Sequence, residues 1–274
     1  MPLNSTTTKH SIQNALALAQ TSQLSYSDEA AVKAGIAAIV GEPLRDFKFF
    51  EVPTTNTEAF LAGTDSAIVL AFRGSQTLHD WLQDGQIALV PFHKGGLIHI
   101  GFRDAVNSVY SLIDSTLGAW SGKGRTLWIT GHSLGGALAM LTAAYLRFPA
   151  DPTKTLPRPF AGLYTFGQPR VGTVPFCDVC SADFGSLYFR YVNYQDIVTR
   201  VPPRELGYWH TGRDEYLDSR GVIHEDPVWW QIFLDRIKVV IATLREMQSG
   251  DIQIPAITDH FISNYIAQIE KNLP

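Results

Sequence analysis

Two helices open the chain, one over roughly Ser11 to Leu24 and one beginning at Ser27, with Asp28 and Glu29 in its first turn and Gly41 beyond its end. The apolar pattern then changes to short strand-like runs at Phe47–Val52, Glu58–Gly63 and Ala67–Phe72, separated by polar turns. A helix from Phe102 to about Leu117 precedes a strand at Leu127–Thr130. A second helix starts at Leu134, and strand-like runs follow at Phe160–Phe166 and Ser186–Val192. From about residue 65 to 195, apolar strands therefore alternate with helices. That order predicts an α/β fold of parallel crossover units, a central sheet with helices on both faces. The proline-rich "RFPADPTKTLPRPF" interrupts this pattern only as a surface loop, so one domain is expected over residues 1–274.

Composition narrows the possibilities. Apolar residues make up 45% of the chain, enough to build a sizeable core and to exclude disorder. The formal charge of −4 is not gathered into any basic block, which argues against nucleic acid or an anionic membrane as main partner. No run approaches the ~18 continuous apolar residues of a membrane span. The N-terminal "MPLNSTTTKHSIQNALALAQ" reads poorly as a signal peptide, because Gln13 and Asn14 break its apolar part. A cytoplasmic chain and a secreted mature form both stay open. The only cysteines, Cys177 and Cys180, fall in "VPFCDVCSADF", which reads as a short helix with both thiols on one face. Neither a second cysteine pair nor a thioredoxin-like context accompanies them, so they are expected to be incidental helix residues.

One stretch carries chemistry. In "TLWITGHSLGGALAMLTAAYL" the polar pair His132–Ser133 interrupts a strand and a helix, hemmed in by glycines. Gly131-His132-Ser133-Leu134-Gly135 fits G-x-S-x-G in the strand-to-helix context that motif requires. The glycines make room for a tight, strained turn, and the helix N-terminus favours negative charge developing beside the serine. Simple helix capping by Ser133 is the competing reading.

A serine alcohol needs a base and an orienting carboxylate, here in the order Ser, Asp/Glu, His. Downstream histidines are His210, His224 and His260. His260 lies at the start of a C-terminal helix after a proline-containing loop, where an imidazole can project. His210 sits in "GYWHTGRDEYL", which alternates like a hairpin and reads as structural, and His224 sits in a polar loop. Among the acids Asp196 stands out, in the loop leaving the strand-like "SLYFRYV", because groups at that sheet edge face ligands. An oxyanion hole would take the N–H of Leu134 and a donor from the loop "FRGS", where Ser75 offers an N–H and a hydroxyl. Arg73 reads as an anchor of that loop.

The segments "AFRGS", "HIGF", "ITGHSLGGALA", "YTFGQPRVG", "NYQDIVTRVPP" and "DHFISNY" occur in this order. From about residue 65 onward the chain resembles the class 3, or fungal-type, lipases. The resemblance implies an α/β-hydrolase fold and cleavage of lipid ester bonds without metal or organic cofactor. It also implies Ser133 as nucleophile, Asp196 as carboxylate, His260 as base, and Ser75 with Leu134 as oxyanion donors. Thr199 and Thr173 depart from the family's usual proline and asparagine, and the disulfide-forming cysteines of many secreted members are missing.

The resemblance further implies a movable helical lid after the oxyanion loop, in "QTLHDWLQDGQIALVPF". On a helix Leu78, Trp81 and Leu82 would share an apolar face, able to cover an acyl groove in water and to turn outward at an oil interface. A fixed amphipathic helix is the alternative. Apolar positions Trp229, Ile232, Phe233, Ile237, Val240, Ile241 and Leu244 also repeat at helical spacing, as in a helix that covers a core. The expected protein is thus a triacylglycerol lipase in transient contact with a lipid–water interface. An esterase for soluble or aromatic esters, a phospholipase, and a non-catalytic lipid-binding module are the competing functions.

Overall fold

The structure, a computed structural model, describes residues 1–75, 88–120, 124–150, 158–227 and 259–274. Helices α1 (Ile12–Leu24) and α2 (Glu29–Val40) begin where side chains satisfy free backbone amides: Ser11 accepts from Asn14 N and Asp28 from Ala31 N. Asp28 is therefore the cap of α2 and not part of its first turn. Strands β1 (Asp46–Val52), β2 (Thr57–Gly63) and β3 (Ala67–Phe72) then form an antiparallel meander.

After β3 the chain builds β4 (Leu89–Pro91), β5 (Leu97–His99), α3 (Ile100–Trp120), β6 (Thr126–His132), α4 (Leu134–Arg147), β7 (Gly162–Phe166), β8 (Gly172–Thr173) and α5 (Val174–Phe184). It ends with β9 (Tyr188–Asn193), β10 (Tyr208–Trp209), β11 (Arg213–Leu217), β12 (Ile223–Glu225) and α6 (Ile262–Glu270). Eight strands form the main sheet in the order β1-β2-β3-β6-β7-β9-β11-β12. The contacts from β3 through β6, β7 and β9 to β11 are all parallel, and β12 closes the edge antiparallel.

Why β3 and the Leu127–Ile129 stretch of β6 are apolar follows from the layers. Ile68, Leu70 and Phe72 of β3 and Leu127 and Ile129 of β6 point into a core with α3, α4 and α5. Ala67, Val69 and Ala71 alternate with them and point into a second core with Leu16, Val32, Ile36 and Tyr265. A strand covered on both faces has no polar side to show, which is the expected mark of a parallel sheet. Helix α4 is buried along nearly its whole length, so its N-terminus is fixed by packing on several sides.

Two expectations need correction. Residues 207–217 do not form a hairpin. Both edges of β11 are already occupied, by β9 in parallel and by β12 in antiparallel pairing, so Tyr208–Trp209 pairs instead with Gly172–Thr173 of β8. This belongs to a second, four-stranded sheet β10-β8-β5-β4, whose two- and three-residue strands leave no periodic signal. His224 is not in a solvated loop but on β12, with Nε2 3.1 Å from Asp218 Oδ2. The helix around Cys177 and Cys180 does form, and both thiols are free and buried in the core; burial pushes the Cys177 thiol up to about 12.

Candidate active site

Strand β6 ends at His132 and α4 begins at Leu134, so Ser133 is the single residue turning the chain. Its φ of 58° and ψ of −131° lie outside the regions that L-residues ordinarily occupy, a strain of order ~1–3 kcal/mol. The turn is held by Ser133 N donating to Phe166 O at 2.9 Å and by Gly136 N donating to Ser133 O at 2.9 Å. The flanking glycines are required by contact. A Cβ on Gly131 would lie 2.3 Å from Gly135 O, and one on Gly135 would lie 2.3 Å from Phe72 O. The first turn of α4 is thus pressed against the ends of β3 and β6, with no room for a methyl group.

Asp196 sits in the tight turn after β9, where its N–H bonds Asn193 O at 2.7 Å. Its carboxylate is buried but well supplied with donors. Val198 N reaches Oδ1 at 2.8 Å, while His260 Nδ1 at 2.8 Å and Tyr265 Oη at 2.6 Å both donate to Oδ2. Burial and the adjoining carboxylate hold the Tyr265 hydroxyl protonated, its pKa well above the ordinary value. Asp259 ties down the other side: its carbonyl accepts from Asn193 Nδ2 at 2.9 Å and its carboxylate from Gln195 N at 3.2 Å.

His260 is buried just ahead of α6, not projecting freely as its loop setting suggested. Its ring packs beside Gly167, the residue following the Phe166 carbonyl that binds Ser133 N. With Nδ1–H given to Asp196, Nε2 carries the lone pair. Among the described residues Nε2 has no hydrogen-bond partner, and neither has Ser133 Oγ. The donor and acceptor left over in this constellation are the hydroxyl and the basic nitrogen, and a bond between such a pair often tightens only around substrate.

A second line of contacts runs beneath the serine and was not legible in the sequence. His132 Nε2 meets the His260 carbonyl at 2.6 Å, so that nitrogen bears the proton. His132 Nδ1, 2.8 Å from Tyr26 Oη, must then accept from the tyrosine. The Tyr26 hydroxyl is also bonded by the backbone of Gly74, in the loop that carries Ser75. Burial, and then the neighbouring His260 ring 4.6 Å away, hold the His132 pKa well below its ordinary value, so it stays neutral when a proton moves nearby. Tyr26→Phe removes the central hydroxyl and leaves Nδ1 of His132 buried and unpaired. The expected cost is about 1–3 kcal/mol of stability together with a drop in kcat larger than any change in KM. Denaturant melts and ester kinetics on the one variant check both.

The remaining sequence candidates lie as follows. Leu134 opens α4 and Ser75 is half-buried directly after Gly74. Arg73 pairs with Glu58 of β2, which fixes the start of that loop. His210 is a half-buried ring whose Nε2 lies 2.7 Å from Thr199 O. The lid residues Leu78, Trp81 and Leu82, and the apolar run from Trp229 to Leu244, lie outside the described residues.

Comparison with known proteins gives the family. Residues 69–206 match the family model described as lipase (class 3), half of the chain. The chain belongs to the class 3 lipase family. This family member is 35% identical over 175 residues to a secreted mono- and diacylglycerol lipase 1 of Fusarium solani, covering 60% of this chain and 49% of that one. It is 33% identical over 184 residues to a lipase of Rhizomucor miehei, covering 64% and 49%. It spans about half the length of these curated relatives. Among solved structures, the Rhizomucor miehei triacylglyceride lipase superposes with a TM-score of 0.61 at 28% identity, covering 74% of this chain and 78% of that one. A triacylglycerol lipase described as having a serine protease triad at its catalytic centre superposes at 0.62 and 29%, covering 77% and 82%. The class 3 lipase chain has the α/β-hydrolase fold, with a mostly parallel central sheet and helices on both faces.

Proposed function

We propose that this protein is a serine carboxylic-ester hydrolase that cleaves fatty-acyl esters of glycerol, triacylglycerols foremost. The observation that carries this reading is the strained Ser133 together with an imidazole, His260, whose Nδ1–H is given to the buried Asp196, Ser133 Oγ and His260 Nε2 both lacking a hydrogen-bond partner among the described residues. Membership of the class 3 lipases supports the substrate class.

In this reading Ser133 Oγ attacks the ester carbonyl while His260 Nε2 takes its proton. The carbonyl oxygen becomes an oxyanion, held by the N–H of Leu134 at the head of α4 and by Ser75. The resulting imidazolium is stabilised by Asp196 and returns its proton to the glycerol oxygen as the C–O bond breaks. The acyl group stays on Ser133 until water, deprotonated by the same nitrogen, releases the fatty acid and restores the serine. A panel of glycerol and soluble esters from short to long chain tests the assignment. Turnover of long-chain acylglycerols is expected. Turnover of soluble aromatic or short esters alone would replace the lipase with an esterase.

We further propose that Leu78, Trp81 and Leu82 form the apolar face of a lid. Each such side chain returns up to ~1.5–3 kcal/mol when buried at a lipid surface, enough to favour an open state there. Activity on a long-chain substrate should rise as dissolved monomers give way to droplets, and Trp81→Ser should weaken that rise while sparing a small soluble ester. An equal loss on both substrates would make Trp81 a packing residue.

A further inference from the structure

We propose that His10, Glu215 and Glu225 form a binding site for a divalent transition-metal ion of the zinc type, tying the segment ahead of α1 to the β11–β12 edge of the main sheet. One nitrogen of His10, one carboxylate oxygen of Glu215 and one of Glu225 lie within 4.8 Å of one another. A modest closing of side chains brings such a set to the spacing of ligands around one ion, with water completing the shell.

The second observation is Glu215 itself. Its side chain is fully buried, and neither carboxylate oxygen has a hydrogen-bond partner among the described residues. Oε2 points at His10 Nε2 from 3.7 Å, too far for a hydrogen bond. A buried carboxylate without donors is costly and calls for a cation or a proton. Arg213, an arginine near it, is committed elsewhere, to Glu225 Oε2 at 3.0 Å and towards Asp226 Oδ2 at 3.7 Å.

The other two ligands are oriented in advance. Tyr191 Oη meets His10 Nε2 at 2.7 Å, which leaves Nδ1 directed at Glu225 Oε1, 3.5 Å away. Arg213 holds the opposite oxygen of the same carboxylate, so Oε1 is the one presented to the site. Ligands held by partners of this kind are the usual support of a metal centre. The His10 ring packs near Phe189 and Tyr191, and an imidazole in its neutral form offers a lone pair to a metal. Glu225 is exposed and gives the ion its entry from solvent. One imidazole with two carboxylates suits zinc and its neighbours better than calcium or magnesium, which favour all-oxygen shells.

Calorimetric titration of the chelator-stripped full chain with Zn2+ alone tests the site, with the melting temperature read in parallel. One saturable Zn2+ per chain and a raised melting temperature are expected. His10→Ala and Glu225→Gln should each weaken binding by at least about 10-fold, and His224→Ala should leave it unchanged. Glu225 is a surface side chain, so its variant keeps the fold. Absence of saturable binding, unchanged affinity in both ligand variants, or equally tight binding of Ca2+ would overturn the proposal. Because binding is read without turnover, failure here leaves the ester-hydrolase reading untouched.

Discussion

Ser133→Ala is expected to lower kcat on any ester by roughly 10^6-fold, the scale on which removing a triad nucleophile acts. The fold should survive, because the substitution deletes only an oxygen that has no hydrogen-bond partner among the described residues. The backbone bonds that define the turn, Ser133 N to Phe166 O and Gly136 N to Ser133 O, do not involve the side chain. Alanine at φ 58° bears the same strain as serine, so the melting temperature should move little. Turnover close to that of the wild type would remove Ser133 from the chemistry, and a large fall in melting temperature would make it a structural residue.

Asp196→Asn should cost about 10^4-fold in kcat, by the tautomer argument. In the present arrangement Oδ2 accepts from both His260 Nδ1 and Tyr265 Oη. An amide NH2 at that position would face two donors. Turned the other way, it would face the Val198 N–H, so the amide satisfies one side and opposes the other. The imidazole then loses the acceptor that fixes Nδ1–H, and Nε2 ceases to be reliably basic. Asp218 is the informative comparison, since it is also buried and also contacts a histidine. Its oxygens accept from the N–H groups of Arg220 and Val222, so it holds the β11–β12 turn. Asp218→Asn should lower stability while kcat holds. The opposite ranking of the two variants would place the catalytic acid elsewhere.

How much of this could be read from the sequence depends on the range of each interaction. Strands β3, β6 and β7 were legible because burial on both faces makes β3 wholly and β6 and β7 largely apolar, with helices marked between them. The second sheet was not, since its strands are two or three residues long and exist only through long-range pairing, such as Ile98 with Gly172. Residue types, motif spacing and order brought Ser133, Asp196 and His260 forward as candidates. What surrounds them was hidden. Tyr26 lies 106 residues before His132 and Tyr265 lies 69 after Asp196, so neither pairing leaves a local pattern. The same limit explains His10, whose partners Glu215 and Glu225 sit at the far end of the chain.

The most direct test of the central claim is labelling with a fluorophosphonate, which forms a covalent bond only with a serine whose oxygen is activated by its neighbours. Peptide mass spectrometry of the labelled wild-type chain should find one adduct, on Ser133, none in Ser133→Ala, and much slower labelling in Asp196→Asn. A folded wild-type chain that stays unmodified at Ser133, or is modified at another serine instead, would contradict the account.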